Sequence, residues 1–192
     1  MEKKDVINFF DSLAEGWDAE QIPKDVIIEK ILENGGVQPH KDILDIACGT
    51  GTLFPFYFKR NVNSVTGIDI SPEMVKIAKQ KFSEIHIICG DAEEYTFNKV
   101  FDVIMIYNAF PHFPNPESLI KNLAGYIKEN GRISVAHSMS REEIINRHQK
   151  RATNVSRELP VAEDVAEMLR PYFSVDIIIS DDKMYQVSGI KK

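Results

Sequence analysis

Five short apolar runs recur along the chain, at residues 42–46, 64–69, 85–89, 101–107 and 132–137, and the stretches between them carry turns and helical periods. This alternation is the sequence form of an α/β sheet, because a parallel strand needs a helical crossover to bring the chain back. Val103-Ile104-Met105-Ile106 does not alternate with polar residues, as expected of a central strand covered on both faces. Between the second and third runs, Ser71 predicts a cap and Pro72 a helix start, with Met74, Val75, Ala78 and Phe82 on one side. Between the fourth and fifth, Asn115-Pro116 opens a helix expected to bury Leu119, Ile120, Leu123 and Ile127, and Asn130-Gly131 is expected to end it. Both crossovers should be right-handed.

The flanks read in the same way. Val6, Phe9, Phe10 and Leu13 recur at helical spacing behind a capping Asp5, up to Gly16-Trp17. A second helix over 24–33 is stopped by Asn34-Gly35-Gly36. After the fifth run come a polar helical stretch over 141–151 and an amphipathic helix carrying Val161, Val165, Met168 and Leu169. Two last strands, 173–179 and 184–190, are joined by a link too short for a parallel return, so they form an antiparallel hairpin. The sheet therefore has seven strands, is mostly parallel with an antiparallel C-terminal strand, and has helices on both faces.

A chain of 192 residues that is 43% hydrophobic suits one domain. The net charge of -6 argues against nucleic acid or an anionic membrane as a partner. No apolar run approaches the roughly 20 residues of a membrane span, and the start, where Lys3 and Lys4 mix with Glu2 and Asp5, lacks a signal-peptide core. A cytoplasmic location is the expectation, and nothing fixes the oligomeric state. Cys48 and Cys89 form no CxxC pair, which excludes a disulfide framework or cysteine zinc site.

The segment with the most chemistry is Ile43-Leu44-Asp45-Ile46-Ala47-Cys48-Gly49-Thr50-Gly51, a strand running into a glycine turn that opens a helix. Glycines there let backbone approach a ligand, and free N–H groups favour a negative group. Asp69 ends the second strand 20 residues beyond Gly49, where a carboxylate accepts ribose hydroxyls. Asp91, after Gly90, ends the third, where it could accept an adenine amino group. Each aspartate alone could merely cap a helix. Three in succession along one edge point to a nucleoside site.

In this order the motifs resemble the class I S-adenosylmethionine-dependent methyltransferases, particularly the type 11 methyltransferase domains, from Asp42 to about His137. The resemblance implies a Rossmann-like sheet, S-adenosyl-L-methionine as cofactor, and methyl transfer by in-line displacement to a small-molecule acceptor. It assigns Asp45, Ala47, Cys48, Gly49 and Gly51 to the methionine part of the cofactor. Asp69, Ile70 and Met74 fall to the ribose and adenine, Gly90, Asp91 and Ala92 to the adenine, and Asn108 to the closure over the cofactor. It also divides the domain: N-terminal lid helices over 1–36, the cofactor-binding core over 37–137, a polar helical insertion near the pocket over 138–159, and a C-terminal helix and hairpin over 160–192. Ala47 replaces a common first glycine, which is compatible with a negative φ there. Asn130-Gly131 stands where a Gly-Gly pair is common.

Two other readings compete: a dinucleotide-dependent oxidoreductase, and a non-catalytic S-adenosylmethionine-binding sensor. Against the first, the third glycine position of GxGxxG is Phe54, and Asp45 has no partner in a pyrophosphate. For the acceptor end, His112 in Asn108-Ala109-Phe110-Pro111-His112-Phe113-Pro114 is the leading candidate base and Tyr107 a second. Trp17, Phe113, His137 and His148 are candidate acceptor contacts with His112, the polar stretch folding over the pocket to bring the three histidines together. A metal held by His112, His137 and His148 is a lesser possibility, since the spacing has no local zinc motif.

Overall fold

A computed structural model describes residues 1–20 and 24–192. The parallel runs become β1 (Asp42–Ile46), β2 (Ser64–Asp69), β3 (His86–Cys89), β4 (Phe101–Tyr107) and β5 (Ile127–His137), followed by β6 (Phe173–Ser180) and β7 (Tyr185–Lys191). They form one sheet in the order β3-β2-β1-β4-β5-β7-β6, in which only β7 runs against its neighbours.

Helices cover both faces for the reason that β4 does not alternate. Val103 and Met105 point into a core with Ile28, Ile31 and Leu32 of α2 (Asp25–Asn34), Phe54 and Tyr57 of α3 (Phe54–Lys59), and Val75 and Ala78 of α4 (Pro72–Lys81). Ile104 and Ile106 point into the opposite core, with Leu119, Ile120 and Leu123 of α5 (Pro116–Ala124), Ile144 of α6 (Arg141–Arg151), and Val165 and Leu169 of α7 (Ala162–Leu169). Each side chain fully buried in this way stabilises the fold by roughly 1.5–3 kcal/mol relative to exposure. A third, smaller cluster lies apart from these cores: Val6, Phe9 and Phe10 of α1 (Lys3–Leu13) meet Ile70 and, just beyond α6, Ala152 and Val155. The two ends of the chain's polar additions thus touch above the sheet edge.

Several local expectations are corrected. α5 stops at Ala124 with Gly125 as its C-cap, and Ile127, which fits the helical period by spacing alone, instead opens β5 opposite Phe101. Asn130 (φ 60) and Gly131 bend that strand rather than end a helix. Asp5 sits in the first turn of α1 behind Glu2, whose side chain makes no cap bond. Val161 is the N-cap of α7 and is 42% exposed, so it does not join the helix's buried stripe. Ser71, by contrast, caps α4 by accepting from the Met74 N–H at 3.2 Å.

Parallel order brings the C-terminal ends of β1 to β5 to one edge. Ala47, the first residue after β1, has φ 53, not the negative value its side chain prefers. The other non-glycine residues with positive φ are His40, Asn61, Asn108 and Asn130, types that tolerate this region through polar side chains. Alanine has no such help. The turn is therefore strained at Ala47, and Ala47→Gly is expected to stabilise the chain by about 1 kcal/mol, raising its melting midpoint by roughly 2–4 °C in a thermal scan.

Candidate functional site

The edge holds a cleft of about 1040 Å³, its open mouth included. Ala47, Cys48, Gly49, Thr52 and Leu53 line it after β1, Asp69, Ile70 and Met74 after β2, Gly90 to Glu93 after β3, and Tyr107 to Ala109 with His112 to Pro114 after β4. Val6, Phe10 and Trp17 close it from the N-terminal side. Of the expected cofactor residues only Gly51 is absent from this wall. Its φ of +89 and the Phe54 ring, 2.6 Å from where a Cβ would stand, give it a packing task instead. Phe54 itself is fully buried, and its ring also lies 2.9 Å from a Cβ built on Gly67. The ring thus separates this helix start from β2, the opposite of the close glycine packing of a dinucleotide fingerprint.

Asp45 is the anomaly of the wall. It is 2% exposed, and among the described residues only the Tyr57 hydroxyl approaches its carboxyl, with no cation beside it. Burial foremost, with the charge of Asp69, pushes this carboxyl well above its usual pKa, while the nearby Tyr57 hydroxyl pulls the other way. The Tyr57 oxygen is itself buried without a partner among the described residues. A buried ionisable group in this state calls for a cation. Asp69 differs: one oxygen accepts from Gly49 N–H at 2.8 Å and the other from Ser71 N–H at 2.9 Å, so it ties the glycine turn to the start of α4. Burial still lifts its carboxyl to about 6. Cys48 has a thiol that burial pushes well up, which makes it an inert spacer. Beside it Gly49 (φ +54) leaves its Cβ position open, 4.0 Å from the Trp17 indole nitrogen, as a cradle for a ligand must.

The N-terminal segment grips the loops after β1, β2 and β3 with charged side chains. Lys3 pairs with Asp91 and lies 3.1 Å from Glu93 and 2.7 Å from Glu94. Asp11 accepts from Ser71 Oγ at 2.5 Å and Glu73 N–H at 3.2 Å. Asp18 accepts from Thr50 Oγ1 and Lys81 Nζ, both at 2.6 Å. Lys3 and Glu93 are site residues that sequence reasoning missed, because a lysine in a first helical turn and a glutamate two residues after Asp91 carry no motif.

A cleft at the strand ends of an open α/β sheet, with an acid after each of two adjacent strands, fits several nucleoside-binding families. Known proteins decide among them. A family model described as a methyltransferase domain matches residues 44–135. The malonyl-[acyl-carrier protein] O-methyltransferase of Priestia megaterium is 35% identical over 92 residues, which are 46% of this chain and 34% of that protein. Over residues 44–135 the chain is thus similar to the methyltransferase domains. The ubiquinone biosynthesis O-methyltransferase of Coxiella burnetii is likewise 35% identical, over 98 residues, 48% of this chain and 42% of that protein. The chain thus spans a third to two fifths of the length of these curated relatives. The magnesium protoporphyrin IX methyltransferase of Synechocystis, solved with S-adenosylhomocysteine bound, shares the fold at a TM-score of 0.73 with 16% identity, and 99% of each chain is covered.

Beside this cleft the three histidines do converge. The His112 and His148 rings lie 4.9 Å apart, and the Phe10 ring stands edge-on to His112, also at 4.9 Å. Only His112 lines the cleft; His137 and His148 lie behind it, while Trp17 and Phe113 do border the cleft. His112 Nδ1 is 2.8 Å from the Val155 carbonyl. A carbonyl only accepts, so Nδ1 carries the proton and Nε2 keeps its lone pair. Among the described residues, no group of three or more His, Cys, Asp or Glu is placed to hold a metal ion, so the histidine metal site is not supported. Tyr107 donates to Ser138 Oγ at 2.8 Å, and burial raises its phenol, which makes it a fixed donor rather than a base. Asn108 accepts from Ser138 N–H at 3.0 Å and so binds the end of β4 to that of β5.

Burial depresses the imidazoles, His137 to about 3 and His112 to about 4. The unfolded chain, with histidine near 6.5, binds more protons across that window, so this stability is present above about pH 6.5 and is lost as pH falls. Asp69, lifted from 3.8 to about 6, acts in the opposite sense over its own window. The difference between chains isolates His137: between pH 6 and 4 the unmodified protein should lose about 1 kcal/mol more per pH unit than His137→Gln, measured by denaturant titration. Equal slopes would contradict the burial of a neutral His137.

Proposed function

We propose that the chain transfers the methyl group of S-adenosylmethionine to a small-molecule acceptor whose nucleophile carries a proton. The observation that carries this reading is Asp45, a buried carboxyl on the cleft wall with no cation beside it among the described residues. The ammonium of the cofactor's methionine part supplies the missing cation, while the open Cβ position at Gly49 leaves room beside it. Asp69 keeps lone pairs on both oxygens for ribose hydroxyls after its two backbone bonds. Asp91, Lys3 and Glu93 stand at the adenine end.

When bound, the cofactor supplies a methyl carbon activated by positive sulfur. The residues of this chain have the tasks of aligning the nucleophile with it, excluding water and taking the proton. Phe10, Trp17 and Phe113 wall the acceptor end, and neutral His112 takes the proton on Nε2. Among the lining residues the one lysine or arginine is Lys3, already held by acids. This end therefore favours an acceptor that is uncharged at its reacting group, such as a hydroxyl. Two relatives named O-methyltransferases support an oxygen nucleophile.

The test has two arms. Incubation with S-adenosylmethionine and a small-molecule metabolite extract should generate S-adenosylhomocysteine above the protein-free rate; tight binding without turnover in any extract would favour a sensor. In calorimetry, Asp45→Asn should weaken S-adenosylmethionine by about 10–100-fold, the worth of a charged hydrogen bond. Undiminished affinity would overturn the reading, as would stabilisation by NADH rather than by the methyl donor.

A further inference from the structure

Two buried imidazole nitrogens, Nε2 of His137 and Nδ1 of His148, have no hydrogen-bond partner among the described residues. An orphaned buried polar atom costs about 1–3 kcal/mol, so native proteins keep few without a use. Both lie in the same cluster as His112, and His137 is near enough to feel the charge of the other two. The cluster is graded from inside to outside: His112 borders the cleft, His137 is 1% exposed at the end of β5, and His148 is half-buried on α6. It is also held rigidly. The capping box of Ser140 and Glu143 fixes the start of α6, and the Arg141 guanidinium donates to the Leu159 carbonyl at 2.8 Å. Arg157 N–H donates to the Pro111 carbonyl at 2.8 Å, next to His112.

A proton released in the cleft has few ways out. Phe10 stands edge-on to one side of His112, and its Nδ1 is engaged by the Val155 carbonyl at 2.8 Å, which cannot take a proton onward, and by the Ser156 hydroxyl at 3.1 Å, whose one proton must leave before it can accept another. A buried imidazole is also a poor place for a charge to stay. We propose that His148 is the second member of a proton exit, receiving across the 4.9 Å between the two rings the proton that His112 takes from the acceptor, with the unpartnered Nδ1 of His148 as the receiving atom. This rests on the reading that His112 is the base. The acceptor's lone pair forms the new bond to the methyl carbon, the carbon–sulfur pair remains on sulfur, and the acceptor's proton goes to His112 Nε2. The imidazolium so formed gives one proton to His148 and returns to neutral, and His148 passes it to water. No electron donor or further reactant enters. His148 touches neither substrate nor cofactor and is a positioning residue for the proton.

The test needs no methyl acceptor. In the full chain with 15N-labelled histidine, the exchange of the His112 ring N–H with water is measured by NMR in the unmodified protein and in His148→Gln, which keeps size and polarity but cannot relay. The relay predicts exchange slowed by about tenfold or more in the variant, with the backbone spectrum unchanged. Unchanged or faster exchange overturns it, whatever the activity assay shows. If His148→Gln does not fold, His148→Asn serves with the same readout. Where the relay fails but S-adenosylhomocysteine still forms, only this inference falls; where S-adenosylmethionine does not bind, the assigned function falls and the exchange result stands by itself.

Discussion

A carboxyl placed out of water without a cation beside it is a cost that folding alone does not explain, and Asp45 is such a group among the described residues. It sits within β1, between Gly67 of β2 and Met105 of β4, so its side chain cannot retreat to solvent. The surrounding architecture follows from this constraint. The glycine turn after β1 brings backbone rather than side chains to the same place, Cys48 fills space without reacting, and Tyr57 backs the carboxyl from α3. What the site lacks among the described residues is a cation, and the proposed ligand carries one.

Asp69 gives the second constraint by joining loops that belong to different strands. With one oxygen on Gly49 and the other on Ser71, it fixes the mouth of the cleft before any ligand arrives. The N-terminal segment then extends the pattern, since Lys3, Asp11 and Asp18 each contact the loop after a different strand. A segment tied in this way responds to whatever occupies the cleft, because displacing any one contact weakens a clamp on the same small volume.

Much of this was legible in the sequence because parallel sheets leave coarse marks. The unbroken apolar run of β4 and the Ser71-Pro72 helix start gave the topology, and the aspartates after successive strands pointed to the edge where the cleft lies. The failures have physical causes. Ile127 keeps helical spacing from Leu123, yet Gly125 had already ended the helix, and periodicity does not register a single capping residue. Ala47 was expected at negative φ because alanine prefers it, but the tertiary turn overrode the preference. Gly51 carries the glycine of the motif but uses it to admit Phe54, a contact between residues whose closeness only the folded chain shows. Lys3 reaches Asp91 across 88 positions of sequence, and no local pattern encodes such a pairing. The convergence of His112, His137 and His148 was foreseen, whereas the order in which they stand back from the cleft was not.

The account turns on whether the amino-acid half of the ligand answers the buried charge. Calorimetry on the unmodified chain decides this by comparing S-adenosylhomocysteine with 5′-methylthioadenosine, which keeps the adenosine and sulfur but lacks the ammonium and carboxylate. Asp45 in the role described here predicts that S-adenosylhomocysteine binds tighter by about 30-fold or more. Equal affinity for the two would mean that the buried carboxyl recognises nothing, and the account would be wrong at its centre.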